Sequence, residues 1–287
     1  MPGVQDRVIV VTGAGGGLGR QYALTLAKEG ANVVVNDLGG ARDGTGAGSA
    51  MADQVVAEIH EAGGRAVANY DSVADSEGAA KIIQTALDEF GAIHGVVSNA
   101  GILRDGTFHK MPFENWDAVL KVHLYGGYNV TRAAWPHFRE QSFGRVVVAT
   151  STSGLFGNFG QANYSAAKLG LVGLINTLAQ EGAKYNVHAN AVAPVAATRM
   201  TEDILPKEVL EKLKPEYVAP VVAYLCTEES TDNGAVFIVG GGSVQRIALF
   251  QNEGPKFETP PSVDDIAAHW REISDLSGAK HATFSLG

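Results

Sequence analysis

The chain has one cysteine, Cys226, among 287 residues, which excludes an intramolecular disulfide and a cysteine-based metal cluster. A reducing compartment fits, and no metal site is expected. Basic residues are scarce too: 22 Lys and Arg stand against 31 Asp and Glu, the formal charge is -9, and no basic cluster forms. A chain of that sign has little to offer a phosphate backbone, so nucleic acid is not an expected partner. No apolar run is long enough to span a bilayer. The N-terminus enters the apolar stretch 8–11 with no basic region, longer apolar core or cleavage site. These absences predict a cytoplasmic protein with no membrane partner. No internal repeat is evident.

What is present is a composition with 45% hydrophobic and 18% charged residues, as globular domains have. Short β-branched runs alternate with stretches of helical period, the pattern of repeated βαβ units. Strands are predicted at 8–11, 32–36, 66–69, 95–98, 145–149, 187–192 and 236–239, nearly all continuously apolar, as strands covered on both faces must be. Helices are predicted at 18–29, 48–62, 78–90, 116–139, 162–185 and 215–225. The expected fold is α/β: one doubly wound domain over 1–250, with a seven-stranded parallel sheet and helices on both faces. Two segments break the pattern. Residues 39–49 (GGARDGTGAGS) form a glycine-rich insertion too flexible to hold a shape without neighbours. The extension 251–287 starts linker-like, then Ser262 reads as the N-cap of a helix containing Trp270. That extension is expected to pack on the core or on a neighbouring subunit.

The run Thr12-Gly13-Ala14-Gly15-Gly16-Gly17-Leu18-Gly19 follows the first strand and opens the first helix, the context that a phosphate-binding loop requires. Gly13 and Gly17 allow a tight turn and close approach of a pyrophosphate. The helix N-terminus at Leu18 favours its charge, and Gly19 allows close packing of helix on sheet. Asp37 ends the second strand, where a carboxylate can accept hydrogen bonds from an adenosine ribose and repel a 2′-phosphate. NAD is thus expected over NADP, although Asp37 could simply cap the turn before Gly39-Gly40, and Arg42 nearby could favour a 2′-phosphate. Asp71 and Ser72 follow the third strand, and Asn99-Ala100-Gly101 follow the fourth, at the carboxyl edge where ligands of open α/β sheets bind. Each could equally be a capping turn.

Tyr164-Ser165-Ala166-Ala167-Lys168, with Ser151 upstream, carries the chemistry. A phenol starts with a pKa of about 10 and accepts a proton near neutrality only beside a positive charge. On a helix, Lys168 lies one turn from Tyr164 on the same face. Ser151, ending the fifth strand, is placed to donate to an oxygen that gains negative charge, with Thr152 and Ser153 as alternatives. Leu155, Phe156 and Phe159 could line an apolar slot or pack a subunit interface.

The glycine loop, Asn99-Ala100-Gly101, Ser151, Tyr164 and Lys168, in this order, resemble the short-chain dehydrogenase/reductases over residues 1 to about 245. The resemblance implies a Rossmann fold, a nicotinamide cofactor, and Tyr164 and Lys168 both in catalysis and at the cofactor. Val35-Asn36-Asp37-Leu38-Gly39-Gly40, the insertion after it, Asn69-Tyr70-Asp71-Ser72-Val73, 157–164 and 214–220 are similar to the dehydrogenase part of the peroxisomal multifunctional enzymes type two. That narrower likeness implies a (3R)-hydroxyacyl-CoA or steroid side-chain thioester as substrate and a homodimer or homotetramer. A hydroxysteroid dehydrogenase and a non-catalytic NAD-binding protein are the alternatives. His123 occupies the position at which the wider family carries a relay asparagine. An imidazole there could hold a relay water and, titrating near pH 6.5, add a second pH dependence. Pro194-Val195 stands where the wider family has Pro-Gly, and Thr198 is spaced to meet a nicotinamide carboxamide. Arg104, Lys110 and Arg199 are the cationic candidates for CoA phosphates. The closing Ser285-Leu286-Gly287 does not read as a peroxisomal address.

Overall fold

The computed structural model describes residues 3–196 and 212–282. It divides into two compact units, Met1–Arg246 and Ile247–Gly287. In the first, strands β1 (Val8–Thr12), β2 (Asn32–Asn36), β3 (Arg65–Asn69), β4 (Gly95–Ser98), β5 (Gly144–Ala149), β6 (Val187–Pro194), β7 (Val236–Gly240) and β8 (Ser243–Ile247) form one sheet in the order β3-β2-β1-β4-β5-β6-β7-β8. Pairing is parallel from β3 through to β7. Every residue of β1, β2, β4 and β5 is buried, which explains the apolar runs at their centres.

The sheet has eight strands where the sequence reading counted seven. The extra strand β8 returns from β7 across Gly241-Gly242, both with positive φ, a hairpin turn that glycine permits. Its residues are mostly exposed, so no apolar pattern marked it.

The helices are α1 (Gly17–Lys28), α2 (Ala50–Glu61), α3 (Ser76–Phe90), α4 (Phe113–Leu120), α5 (Gly126–Glu140), α6 (Thr152–Phe156), α7 (Ala162–Gly182) and α8 (Ala219–Leu225). Helix α1 packs against α2 and α8, while α3, α5 and α7 pack side by side. Alternate strand residues Ile9, Val11, Val33 and Val35 share a buried cluster with Leu26 of α1 and with Val55 and Ile59 of α2. The predicted helix 116–139 is interrupted: α4 and α5 are joined by a π-helical turn, Lys121–Tyr125, with buried His123 inside it. Such turns often occur at functional sites.

The second unit holds the short antiparallel strands β9 (Phe250–Gln251) and β10 (Lys280–His281) and helix α9 (Val263–Ser274). Ser262 caps α9 in a reciprocal capping box with Asp265, as its N-cap spacing predicts. Asn252 Nδ2 donates to the carbonyls of Ile273 and Asp275, each at 2.9 Å, and so satisfies the far end of the same helix.

Candidate active site

The strand order reverses between β1 and β4, and the loops at their carboxyl ends open a cleft there. Gly13 (φ 63) and Gly17 (φ 52) occupy the left-handed region that favours glycine. A Cβ on Gly13 would stand 2.7 Å from Ala100 Cα, and one on Gly19 would overlap the Gly13 carbonyl. Asn99 locks this turn from below: its Nδ2 donates to the carbonyls of Thr12 (3.2 Å) and Gly13 (3.1 Å). Thr12 Oγ1 in turn accepts from the backbone N–H groups of Asn99 and Ala100, both at 3.1 Å.

Asp37 bridges two stretches. One carboxylate oxygen accepts from Gly15 N at 2.8 Å and the other from Gly39 N at 2.7 Å. Turn-capping is therefore real, yet a carboxylate has about four acceptor positions, and Asp37 still lines the cleft. Asp71 is held by Asn69 Nδ2 at 2.9 Å, and Asn36 Nδ2 donates to both Asn69 Oδ1 (2.8 Å) and the Asp71 carbonyl (2.9 Å). Asn36 and Asn69 stand in stretches that carry the narrower resemblance, but the sequence reading gave neither a role; each is the polar residue that closes its strand. Ser72 Oγ accepts from Ala74 N, a capping bond.

At the other end, Ser151 caps α6, its Oγ accepting from Ser153 N at 3.1 Å, and its hydroxyl acts to lower the pKa of Tyr164. Lys168 is buried, with Nζ 2.5 Å from the Ala149 carbonyl and 5.5 Å from the Tyr164 ring centroid. Burial drives its ammonium down to about 7. Burial also raises the Tyr164 phenol; the Ser151 hydroxyl opposes that rise and the negative Asp105 adds to it. Desolvation dominates both groups, because each leaves bulk water for a packed wall. Fully buried Asn163, likewise given no role from the sequence, fixes this end. Its Oδ1 accepts from Tyr164 N (2.8 Å) and its Nδ2 donates to the carbonyls of Arg104 (2.9 Å) and Asn115 (3.2 Å).

His123 stands edge-on to Tyr164, ring centroids 5.1 Å apart. Its Nε2 lies 2.8 Å from the Ile102 carbonyl oxygen and 3.0 Å from the Ile102 N–H, while Nδ1 is buried with no hydrogen-bond partner. Burial, and then Lys168, push its pKa well below the ordinary value. The imidazole is neutral at physiological pH, which corrects the expected titration near 6.5. Gly101 has no side chain because one would overlap the His123 ring.

The glycine loop, Asp37, Asp71, His123, Tyr164 and Lys168 line one cleft of about 410 Å³. Of the sequence-derived candidates, Gly13, Gly17, Leu18, Asp37, Asp71, Ser72, Asn99, Ala100, Gly101, His123, Tyr164, Lys168 and Pro194 line it. Gly19, Ser151 and Val195 are not in its lining. Gly19 lies under the glycine loop, and Val195 is tied to β7 by donating to the Val239 carbonyl at 2.8 Å. Thr198 and Arg199 lie outside the described residues. Phe156 and Phe159 are exposed and, with Leu155, do not line the cleft. Among the described residues, no cluster of side chains suited to a metal ion occurs, and no helix is long and apolar enough to cross a membrane.

A cleft beginning at a glycine loop and ending at a Ser–Tyr–Lys constellation defines a class, and comparison with known proteins gives the same class. The chain belongs to the short chain dehydrogenase family, whose model matches residues 7–209, and it is an oxidoreductase of that family. It is 83% identical over 286 residues to a Mycobacterium tuberculosis protein whose name places it among the short-chain type dehydrogenase/reductases and states no substrate; the match covers 100% of both. The structure of full-length peroxisomal multifunctional enzyme type 2 from Drosophila melanogaster matches with TM-score 0.82 and 42% identity, covering 98% of this chain and 47% of that one. The chain thus spans about half the length of that multifunctional protein. A hydroxyacyl-CoA dehydrogenase of Mycobacterium tuberculosis is 38% identical over 260 residues, 85% of this chain and 80% of its own.

Proposed function

We propose that the chain interconverts a secondary alcohol and a ketone with NAD, and that its substrate is a 3-hydroxyacyl-CoA. The carrying observation is the Tyr164 phenol, one turn from buried Lys168, in the wall of a cleft that begins at the glycine loop. The residues suit a dinucleotide: the loop leaves no room for side chains at Gly13 and Gly19, and the acidic Asp37 faces the cleft with acceptor capacity left over. Asp37 supports NAD over NADP.

Bound NAD would supply the hydride acceptor and one positive charge. Beside that charge Tyr164 can lose its proton, a loss that its raised pKa otherwise opposes, and the phenolate can then take up the alcohol proton. Ser151 donates to the oxygen that gains charge, which for one well-placed donor is worth about 3 kcal/mol. Lys168, poised at about 7, carries an ammonium for part of the population at neutral pH. In reduction the same phenol returns the proton. His123, neutral and with Nδ1 unpaired, offers an acceptor or donor for a bridging water.

The thioester reading is supported by the name of the 38% identical hydroxyacyl-CoA dehydrogenase. NADH formation from 3-hydroxyacyl-CoA, against free hydroxysteroids at equal concentrations, tests it. Turnover confined to the thioester is expected. Turnover of the free steroid alone would overturn the substrate, and NADH binding without any turnover would overturn the enzyme. Comparable kcat/KM with NADP would remove the role given to Asp37. Exposed Tyr125, Tyr128 and Leu169, on the helices next to the catalytic end, support a homodimer or homotetramer; a sedimenting monomer would refute it.

A further inference from the structure

The glycine-rich insertion 39–49 is not a loose loop. Gly48 N donates to the Leu38 carbonyl (2.9 Å) and closes its base, while Ala41 N donates to the Thr45 carbonyl (2.7 Å). Asp43 accepts from both the N–H (3.0 Å) and the hydroxyl (2.7 Å) of Thr45, which shapes the tip. The insertion also leans on a second segment, 102–106. Leu103 N donates to the Arg42 carbonyl at 3.1 Å, Arg104 Nε donates to the Asp43 carbonyl at 2.8 Å, and Gly44 packs against Ile102.

That second segment is attached to the catalytic end. The Ile102 backbone meets His123, and the Arg104 carbonyl receives Asn163, whose Oδ1 holds Tyr164 N. Gly40, Ala41 and Gly44 line the same cleft as Gly101, Ile102 and Arg104. A continuous path of contacts therefore runs from Asp37, through the insertion, to Tyr164.

We propose that the insertion is a strap across the dinucleotide cleft and that Arg104 is the positioning residue that fastens it, retaining the bound dinucleotide through the N–H at its Nε position. This inference rests on the NAD reading above for the identity of what is retained. The chemistry is that of a directed donor on a backbone carbonyl, Arg104 Nε–H on the Asp43 main-chain oxygen, with the guanidinium charge also acting on the Asp43 carboxylate.

Two variants separate donor from charge. In Arg104→Gln the side-chain amide places an N–H where Nε stood and removes the charge; Arg104→Met fills the same length with neither. Hydrogen exchange of 40–48 in the ligand-free protein and the NADH release rate by stopped-flow fluorescence are the readouts. In Arg104→Met both should quicken, by about fivefold to tenfold for one lost hydrogen bond, while exchange in β1 stays unchanged. Arg104→Gln should stay near wild type in both. Wild-type behaviour of Arg104→Met would overturn the proposal, as would equal loss in both variants, which would assign the effect to charge. Failure of the wild-type protein to bind NADH would count against the NAD reading and the retention role alike, whereas the exchange data judge the fastening on its own.

Discussion

The two ends of the cleft are built on opposite terms. At the dinucleotide end, Thr12, Asn99 and Asp37 spend their hydrogen-bonding groups on backbone partners, and the glycines sit where side chains cannot fit. At the catalytic end a lysine is buried with its ammonium pushed down to about 7, a phenol is pushed up, and an imidazole nitrogen is buried without a partner in a π-helical turn. One end contributes stability by packing. The other holds groups in disfavoured states, as sites selected for activity tend to do at some cost in stability. Substitutions should therefore lower stability at the first end and lower turnover at the second.

The largest effect should come from Tyr164→Phe. It deletes the proton carrier and removes no packing, so kcat should fall by about a thousandfold while NADH affinity and melting temperature stay close to wild type. A near-normal kcat would break the comparison at its catalytic end. Gly19→Ala should do the reverse. The new methyl has nowhere to go except into the Gly13 carbonyl, and forced overpacking costs about 3 kcal/mol. Chemical denaturation reads this directly, and an unchanged midpoint would show that the loop can relax.

Lys168 gives a smaller effect with a defined sign. Its folded-state pKa of about 7 lies below the ordinary lysine value of 10.5, so between those values the unfolded chain binds the extra proton. Stability must then rise as pH rises through that window, by about 2 kcal/mol from pH 7 to 9. Denaturation midpoints at both pH values should show the gain in wild type and lose it in Lys168→Met. A flat wild-type curve would mean that the ammonium is better solvated than its burial implies.

The division between the two ends also marks what the sequence could disclose. The buried strands were legible because a strand covered on both faces must be apolar throughout, and β8 escaped because it is exposed. The glycine loop and Tyr164–Lys168 were legible because a fixed spacing on a regular element fixes geometry. Asn163 and the Asn36–Asn69 pair stood in recognisable motifs but received no role: an asparagine's value lies in which carbonyls it reaches, and those belong to residues far along the chain. Protonation was hard to read for the same reason, since Lys168 and His123 take their pKa shifts from burial that no local pattern records.

His123 supplies the smallest and most discriminating outcome. If its imidazole titrated near its ordinary value, the kcat profile would carry a limb near pH 6.5. Buried between the Ile102 backbone and the Tyr164 ring, with Lys168 adding like charge whenever it is protonated, the ring has no room for a second proton. A limb near pH 7 should instead follow Lys168. In His123→Asn the side chain keeps one donor group and one acceptor, as the neutral ring does, so the shape of the kcat profile should be unchanged even if its height falls. Loss of the limb in that variant alone would transfer the titration to His123 and would mean that the catalytic end holds a charge its burial argues against.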